Sequence, residues 1–285
     1  AHVGRTADAK QVAYRACDRL SVIRLRPAMF LAQFGTAMLE LYTGEIQRAT
    51  EFADLAFPLS GTPQQQADCL GLRAYAKDLA GDWVGAQIDF DAASALAPLL
   101  SIRVLYCKWL SMIHHATSFE DMSKYLDVMS SQEPAPDKHG THYDWRTSVI
   151  TAKLFLVRRK TISGEMTPHE FSQAVEQTYK DFPERRYNTF YHRSVIQLLK
   201  AQACALVAAL PGANAGDAQE AYGALATSDR YARTGNYQHL LIDTEIARGR
   251  LMAERDDPNG TVVLQKAIEE SRRIGYAWAI EEIDS

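Results

Sequence analysis

The sequence is short of most features that announce a chemistry. It has four cysteines in 285 residues and no C-x-x-C pair, so neither a disulfide framework nor a compact zinc or redox motif is present. Cys17, Cys69, Cys107 and Cys204 are scattered among small and apolar residues, and read as small buried hydrophobes in a reducing compartment. Positive charge is not in excess. A net charge of −4 argues against direct nucleic-acid binding, which needs basic groups to neutralise phosphates. No apolar run approaches the ~18–20 residues that span a bilayer. The longest, LLKAQACALVAAL at 198–210, carries Lys200 and Gln202 and reads as a buried helix. The first residues lack the basic-then-apolar layout of a signal peptide. Starting on Ala1 rather than methionine, the chain is expected to be a fragment or a processed product of a cytoplasmic protein. A phosphate loop, a nucleophile elbow, an H-E-x-x-H pair and a dinucleotide fingerprint are all missing. No catalytic residue, cofactor or membrane contact is therefore assigned, and a non-enzyme is expected.

Strand patterning is as scarce as these motifs, and what fills the chain is helix punctuation. Hydrophobic residues make up 47% and charged ones 23%, enough apolar material for a sizeable core. Thr62-Pro63 with Gln65, and Thr167-Pro168 with Glu170, have the spacing of capping boxes. Asp82 and Ser118 stand where N-caps belong. Gly44, Gly81, Gly235 and Gly275 follow helical patterns where a left-handed residue would end them. These signals predict helices near 7–25, 28–42, 46–57, 64–79, 83–97, 99–116, 119–130, 142–160, 168–181, 187–210, 216–234, 237–254, 261–273 and 276–284. The class is all-α, with about seven antiparallel pairs. The longest breaks, 131–140 and 211–217, do not demand separate folds. The chain divides into an N-terminal array, 1–131, and a C-terminal array, 141–285, continuous with it.

The stretch GDWVGAQIDFDAASALAP at 81–98 shows how one pair is specified. Ala86 and Ala93 are two turns apart and share a face. They let their helix lie close against the preceding one, where Ala74 is the matching small residue. Pro98 disfavours helix at the residue before it. Ala74, Gly81, Trp83, Ala86, Phe90, Ala93 and Pro98 together resemble the signature of the tetratricopeptide repeat, a helix-turn-helix unit of about 34 residues. Gly44, Ala49 and Ala56 repeat the spacing upstream, and Met122, Met129 and Pro134 continue it downstream. Ala49, Ala86 and Met122 recur at intervals of 37 and 36. The resemblance implies a right-handed solenoid whose concave surface holds a peptide, a helix or another domain.

The first helices depart from that family's pattern. Gln33, Thr36 and Glu40, and then Arg73 and Lys77, occupy places for large apolar residues. The apolar residues fall about one position later, at Phe34, Met38 and Leu41, then Leu72, Tyr75 and Leu79. Either the register is shifted by one, or these helices are rotated and part of the groove is packed. The Lys/Asn arrangement with which some family members clamp a peptide carboxylate is not at these positions. Phe34, Met38 and Tyr75 are the candidate groove residues. The last quarter, with ARGRLMAERDDP followed by LQKAIEESRRIGY, is similar in texture to the superhelical sensor regions of large bacterial transcription activators. That similarity implies, as the alternative, a domain that encloses a small ligand.

Two clusters invite a sharper reading. His139, His142 and Asp144 in KHGTHYDW could converge on a divalent ion, but the spacing fits no compact zinc motif; the plainer reading is a polar loop entering a helix. Arg185, Arg186 and Tyr187 in FPERRYNTFYHR suit the gripping of an acidic peptide. Tyr187, Phe190 and Tyr191 are also the i, i+3, i+4 stripe of a buried helix face. The expected function is a non-catalytic protein-interaction or regulatory module.

Overall fold

The computed structural model describes residues 6–97, 100–115, 118–132, 141–181, 190–213 and 215–284. Those residues form fourteen α-helices and one 3-10 turn, Phe57–Leu59, and among them there is no strand. The helices are α1 (Thr6–Ile23), α2 (Arg26–Tyr42), α3 (Ile46–Ala56), α4 (Pro63–Leu79), α5 (Trp83–Leu96), α6 (Ile102–His114) and α7 (Phe119–Ser131). They continue as α8 (Thr141–Ile162), α9 (Pro168–Asp181), α10 (Phe190–Ala208), α11 (Ala215–Gly235), α12 (Gln238–Ala253), α13 (Asn259–Ile274) and α14 (Ala277–Asp284). The all-α class holds, and each expected helix has its counterpart.

Local chemistry explains most of the boundaries. Thr62 accepts from the Gln65 N–H at 3.2 Å, and the Gln65 side chain accepts from the Gly61 N–H at 2.7 Å. Thr167 and Glu170 form the reciprocal box, with Thr167 N donating to Glu170 Oε2 at 2.7 Å and Glu170 N to Thr167 Oγ1 at 3.2 Å. Asp82 and Ser118 cap α5 and α7 as expected. Two stops differ. The first helix ends at Ile23 rather than 25, because Arg24 turns left-handed (φ 57°) and α2 opens at once on a proline in its first turn. Gly235 is the last residue of α11, and Asn236 takes the left-handed place (φ 55°), a conformation asparagine tolerates. Glycine is nevertheless required at 235, because a Cβ there would run into the Tyr237 ring.

The contacts divide the chain into two compact units. The first comprises Ala1–Ser111 with Gly235–His239 and Glu270–Ser285. In it α1 packs on α2, α2 on α3, α3 on α4 and α4 on α5, while α2 also touches α4. Ala74, Ala86 and Ala93 are fully buried, as the close approach of α4 and α5 requires. Residues distant in sequence complete this unit. Thr6 Oγ1 donates to the Gly235 carbonyl at 2.5 Å, Tyr42 meets Tyr237 edge-on, and Tyr75 meets Trp278 edge-on. Gly44 shows how tight the contact is. At φ 80° it occupies a backbone region that favours glycine, and a Cβ would lie 2.8 Å from the Gln238 Cβ.

The second unit comprises Met112–Thr234 and Leu240–Glu269. Here α7, α8, α9 and α10 pack in succession, and α8 also meets α10. Leu198, Ala201 and Cys204 of α10 form a core with Ala221, Ala224 and Leu225 of α11 and Leu251 of α12. Three hydroxyls without solvent exposure cross that core. Ser194 and Ser228 each donate to the other's carbonyl at 3.0 Å, and Ser228 Oγ lies 3.1 Å from Thr244 Oγ1.

Candidate functional site

The residues singled out from the sequence divide into core residues and residues beyond description. Phe34 is 9% exposed and stacks on Phe30, with ring centroids 5.7 Å apart. Tyr75 is 6% exposed against Trp278. Neither ring is presented to a partner in this arrangement; Met38 is half-buried. Arg185, Arg186, Tyr187 and His139 lie outside the described residues. His142 and Asp144 belong to the first turn of α8, where only the backbone is described. Among the described residues no group of three His, Cys, Asp or Glu side chains could hold a metal ion.

The polar places in the first helices have a structural use. Glu40 is fully buried and receives Lys10 Nζ at 2.7 Å and the Tyr14 hydroxyl, both from α1. Thr36 Oγ1 lies 3.5 Å from Cys17 Sγ, also on α1. Thirty-seven residues on, Arg73 stands in the place of Thr36 and Lys77 in that of Glu40. Arg73 forks onto Asp89 at 2.7 and 2.6 Å and reaches Asp54 of α3 at 2.5 Å, while Lys77 meets Asp89 at 2.8 Å. Burial pulls the Asp89 pKa upward, but the hydrogen bonds from Arg73 and Lys77 outweigh it and hold the carboxyl below its ordinary value of 3.8. In α2 these polar residues reach back to α1, whereas in α4 Arg73 reaches back to α3 through Asp54 and, with Lys77, forward to α5 through Asp89.

Titratable groups inside the units are held inert by their surroundings. Burial pushes Cys69 and Cys204 up to about 11 and Cys107 up to about 12, so these thiols stay protonated and poorly nucleophilic at neutral pH. Burial pushes His239 down to about 4, which keeps its imidazole neutral. Burial first, and then the Glu40 carboxylate, push the Tyr14 hydroxyl upward.

What the surface offers is apolar. Helix α5 buries Ala86, Phe90 and Ala93 yet leaves Val84 70% and Ile88 65% exposed. These two are one turn apart and share a face; exposed Ala95 and half-buried Ala92 extend it. A helix with apolar residues on its outer as well as its inner face is the pattern of an element covered on both sides. The sequence carries a signal for this in the comparison of one repeat with the next. In α3 the two corresponding positions are Gln47 and Glu51, exposed and hydrogen-bonded to each other at 3.3 Å, whereas in α5 both are aliphatic. A second apolar depression lies between α1 and α2, with Ala9, Val12 and Ala13 on one side and Leu31, Ala32 and Gly35 on the other. Compared with known proteins, the sequence matches no family model and no curated protein.

Proposed function

We propose that the chain is a tetratricopeptide-like helical-repeat protein that works as a non-catalytic interaction module. In this reading the outer face of α5 is covered by a peptide or a helix of a partner protein. The observation that carries it is the pair Val84 and Ile88, aliphatic and exposed where the preceding repeat has polar residues. Fully burying such a side chain contributes about 1.5–3 kcal/mol. With roughly two thirds of each still in water, a partner would gain about 1–2 kcal/mol per residue. The repeat reading is supported by the short glycine turns of α2–α3 and α4–α5, by their buried alanines, and by the packing of each helix on the next in the first unit.

The experiment places a photo-reactive side chain at Ile88 and, as a control, at Glu165, which lies in an exposed turn. Cross-linking in the protein's own cells should give a discrete adduct from position 88 alone. Excess unlabelled chain should compete it away, and excess chain carrying Val84→Asp and Ile88→Asp should not. The double variant should keep its melting temperature, since both side chains already face water. Equal competition by the double variant would refute the assignment.

A further inference from the structure

Helix α1 has the sequence phase of a second helix, and the structure leaves open the face that its hairpin partner would cover. In the two hairpins of the first unit, the second helix begins two residues after a glycine: Gly44 before Ile46, and Gly81 before Trp83. Five, nine and twelve residues after that glycine come Ala49, Ala53 and Ala56 in α3, and Ala86, Phe90 and Ala93 in α5. All six are at most 1% exposed. The same count from Gly4 gives a helix start at Thr6 and then Ala9, Ala13 and Ala16. These three are only half-buried.

The adjoining face of α2 is open in the same sense. Counting 37 residues on from Ala32, Gly35 and Leu39 gives Cys69, Leu72 and Ala76 of α4. These are buried to 1%, 8% and 0% exposure in a helix that has α2 and α3 before it. Ala32, Gly35 and Leu39 remain partly in water, Leu31 beside them is 66% exposed, and a Cβ placed on Gly35 meets nothing within 4 Å. Val12 of α1, 65% exposed, forms the other rim. In the first unit α2 fills this place for α3 and α4, and no described helix fills it here.

We propose that the groove between α1 and α2 is the seat of one more helix, supplied by the same polypeptide upstream of residue 1 and packed antiparallel to α1. It completes α1 into a hairpin of the kind made by α2–α3 and α4–α5, and it continues the packing seen between α2, α3 and α4. The repeat phase and the open face carry the assignment; the position of residue 1 plays no part in it. The occupant is therefore an amphipathic helix whose inner face meets Ala9, Ala13 and Ala16, with large apolar side chains reaching Gly35.

The test compares the 285-residue chain with the complete product of its reading frame purified from its own cells, each carrying Leu31→Cys. Maleimide modification of that cysteine, read by peptide mass, should be at least about tenfold slower in the complete product, because it must wait for the covering helix to open. Val262→Cys, on α13 and 51% exposed, should react equally in both. A second variant, Gly35→Trp, should leave the melting temperature of the 285-residue chain unchanged and lower that of the complete product. Equal rates at Leu31→Cys would overturn the proposal, as would a complete product with no residues upstream of residue 1. Protection that disappears on dilution, together with a dimeric mass, would place the covering helix in a second copy and would also overturn it.

Discussion

Replacing Asp89 by asparagine asks how much of the α4–α5 pairing rests on one carboxylate. The side chain is 5% exposed and takes two hydrogen bonds from Arg73 and one from Lys77. Asparagine keeps the shape but turns an amide toward two cations and leaves them without their counter-charge. Breaking a buried pair from one side costs ~3–5 kcal/mol. Arg73 and Lys77 keep 24% and 27% of their side-chain surface in water, and Arg73 retains Asp54, so the loss here should be ~2–3 kcal/mol at neutral pH. The pH dependence separates charge from shape. Because the folded carboxyl titrates below its ordinary value of 3.8, its stabilisation is complete above that value and drains away as pH falls through the folded pKa. Urea unfolding followed by tryptophan fluorescence should show the wild-type advantage in full at about pH 7 and shrinking as the pH is taken below the ordinary carboxyl value of 3.8. A deficit below ~1 kcal/mol at neutral pH, or one that does not shrink in acid, would refute the reasoning.

Two further outcomes follow from the same geometry. Gly44→Ala and Gly164→Ala place an alanine at nearly the same backbone angle, φ 80° and 82°, but only the first meets a neighbour, 2.8 Å away. Gly164→Ala should cost ~1 kcal/mol of backbone strain and Gly44→Ala at least ~1 kcal/mol more in thermal unfolding; equal costs would show that the contact with Gln238 is not tight. Cys69 and Cys204 should resist an aromatic disulfide reagent at about pH 8 and react only as fast as the protein opens. Rapid modification of both in the folded chain would contradict their burial.

The helices were legible because their signals are local. A cap such as Thr62 with Gln65, or a stop such as Gly81, is decided by a handful of neighbouring residues. Phe34 and Tyr75 were not legible as core residues, because apolar side chains at helical spacing look alike in a groove and in an interior. What decides the matter for Tyr75 is Trp278, about two hundred residues further along, and no window of sequence contains both. The polar residues of α2 were misplaced only when read against a family pattern. Beside α1, Thr36 and Glu40 have partners, and the apparent shift in register is a helix with two occupied faces. Val84 and Ile88 could have been found by setting one repeat against the next, where glutamine and glutamate give way to aliphatics.

The make-up of the first unit fixes an order of events during synthesis. Its early hairpins need residues 235–239 and 270–284 to finish their packing, and those residues are translated well after them. At about 5–20 residues per second, the ribosome takes roughly 10–40 s to add the ~200 residues separating Tyr75 from Trp278. Through that interval the Tyr42 and Tyr75 rings lack the partners that later cover them, and the glycine turns at 44 and 81 stand open. The second unit draws on an unbroken run, Met112–Thr234, for most of its residues, and its hairpins can close as they emerge. The early hairpins of the first unit are thus made before the run 112–234 and finished after it, with their unpartnered apolar surface exposed to aggregation through the wait.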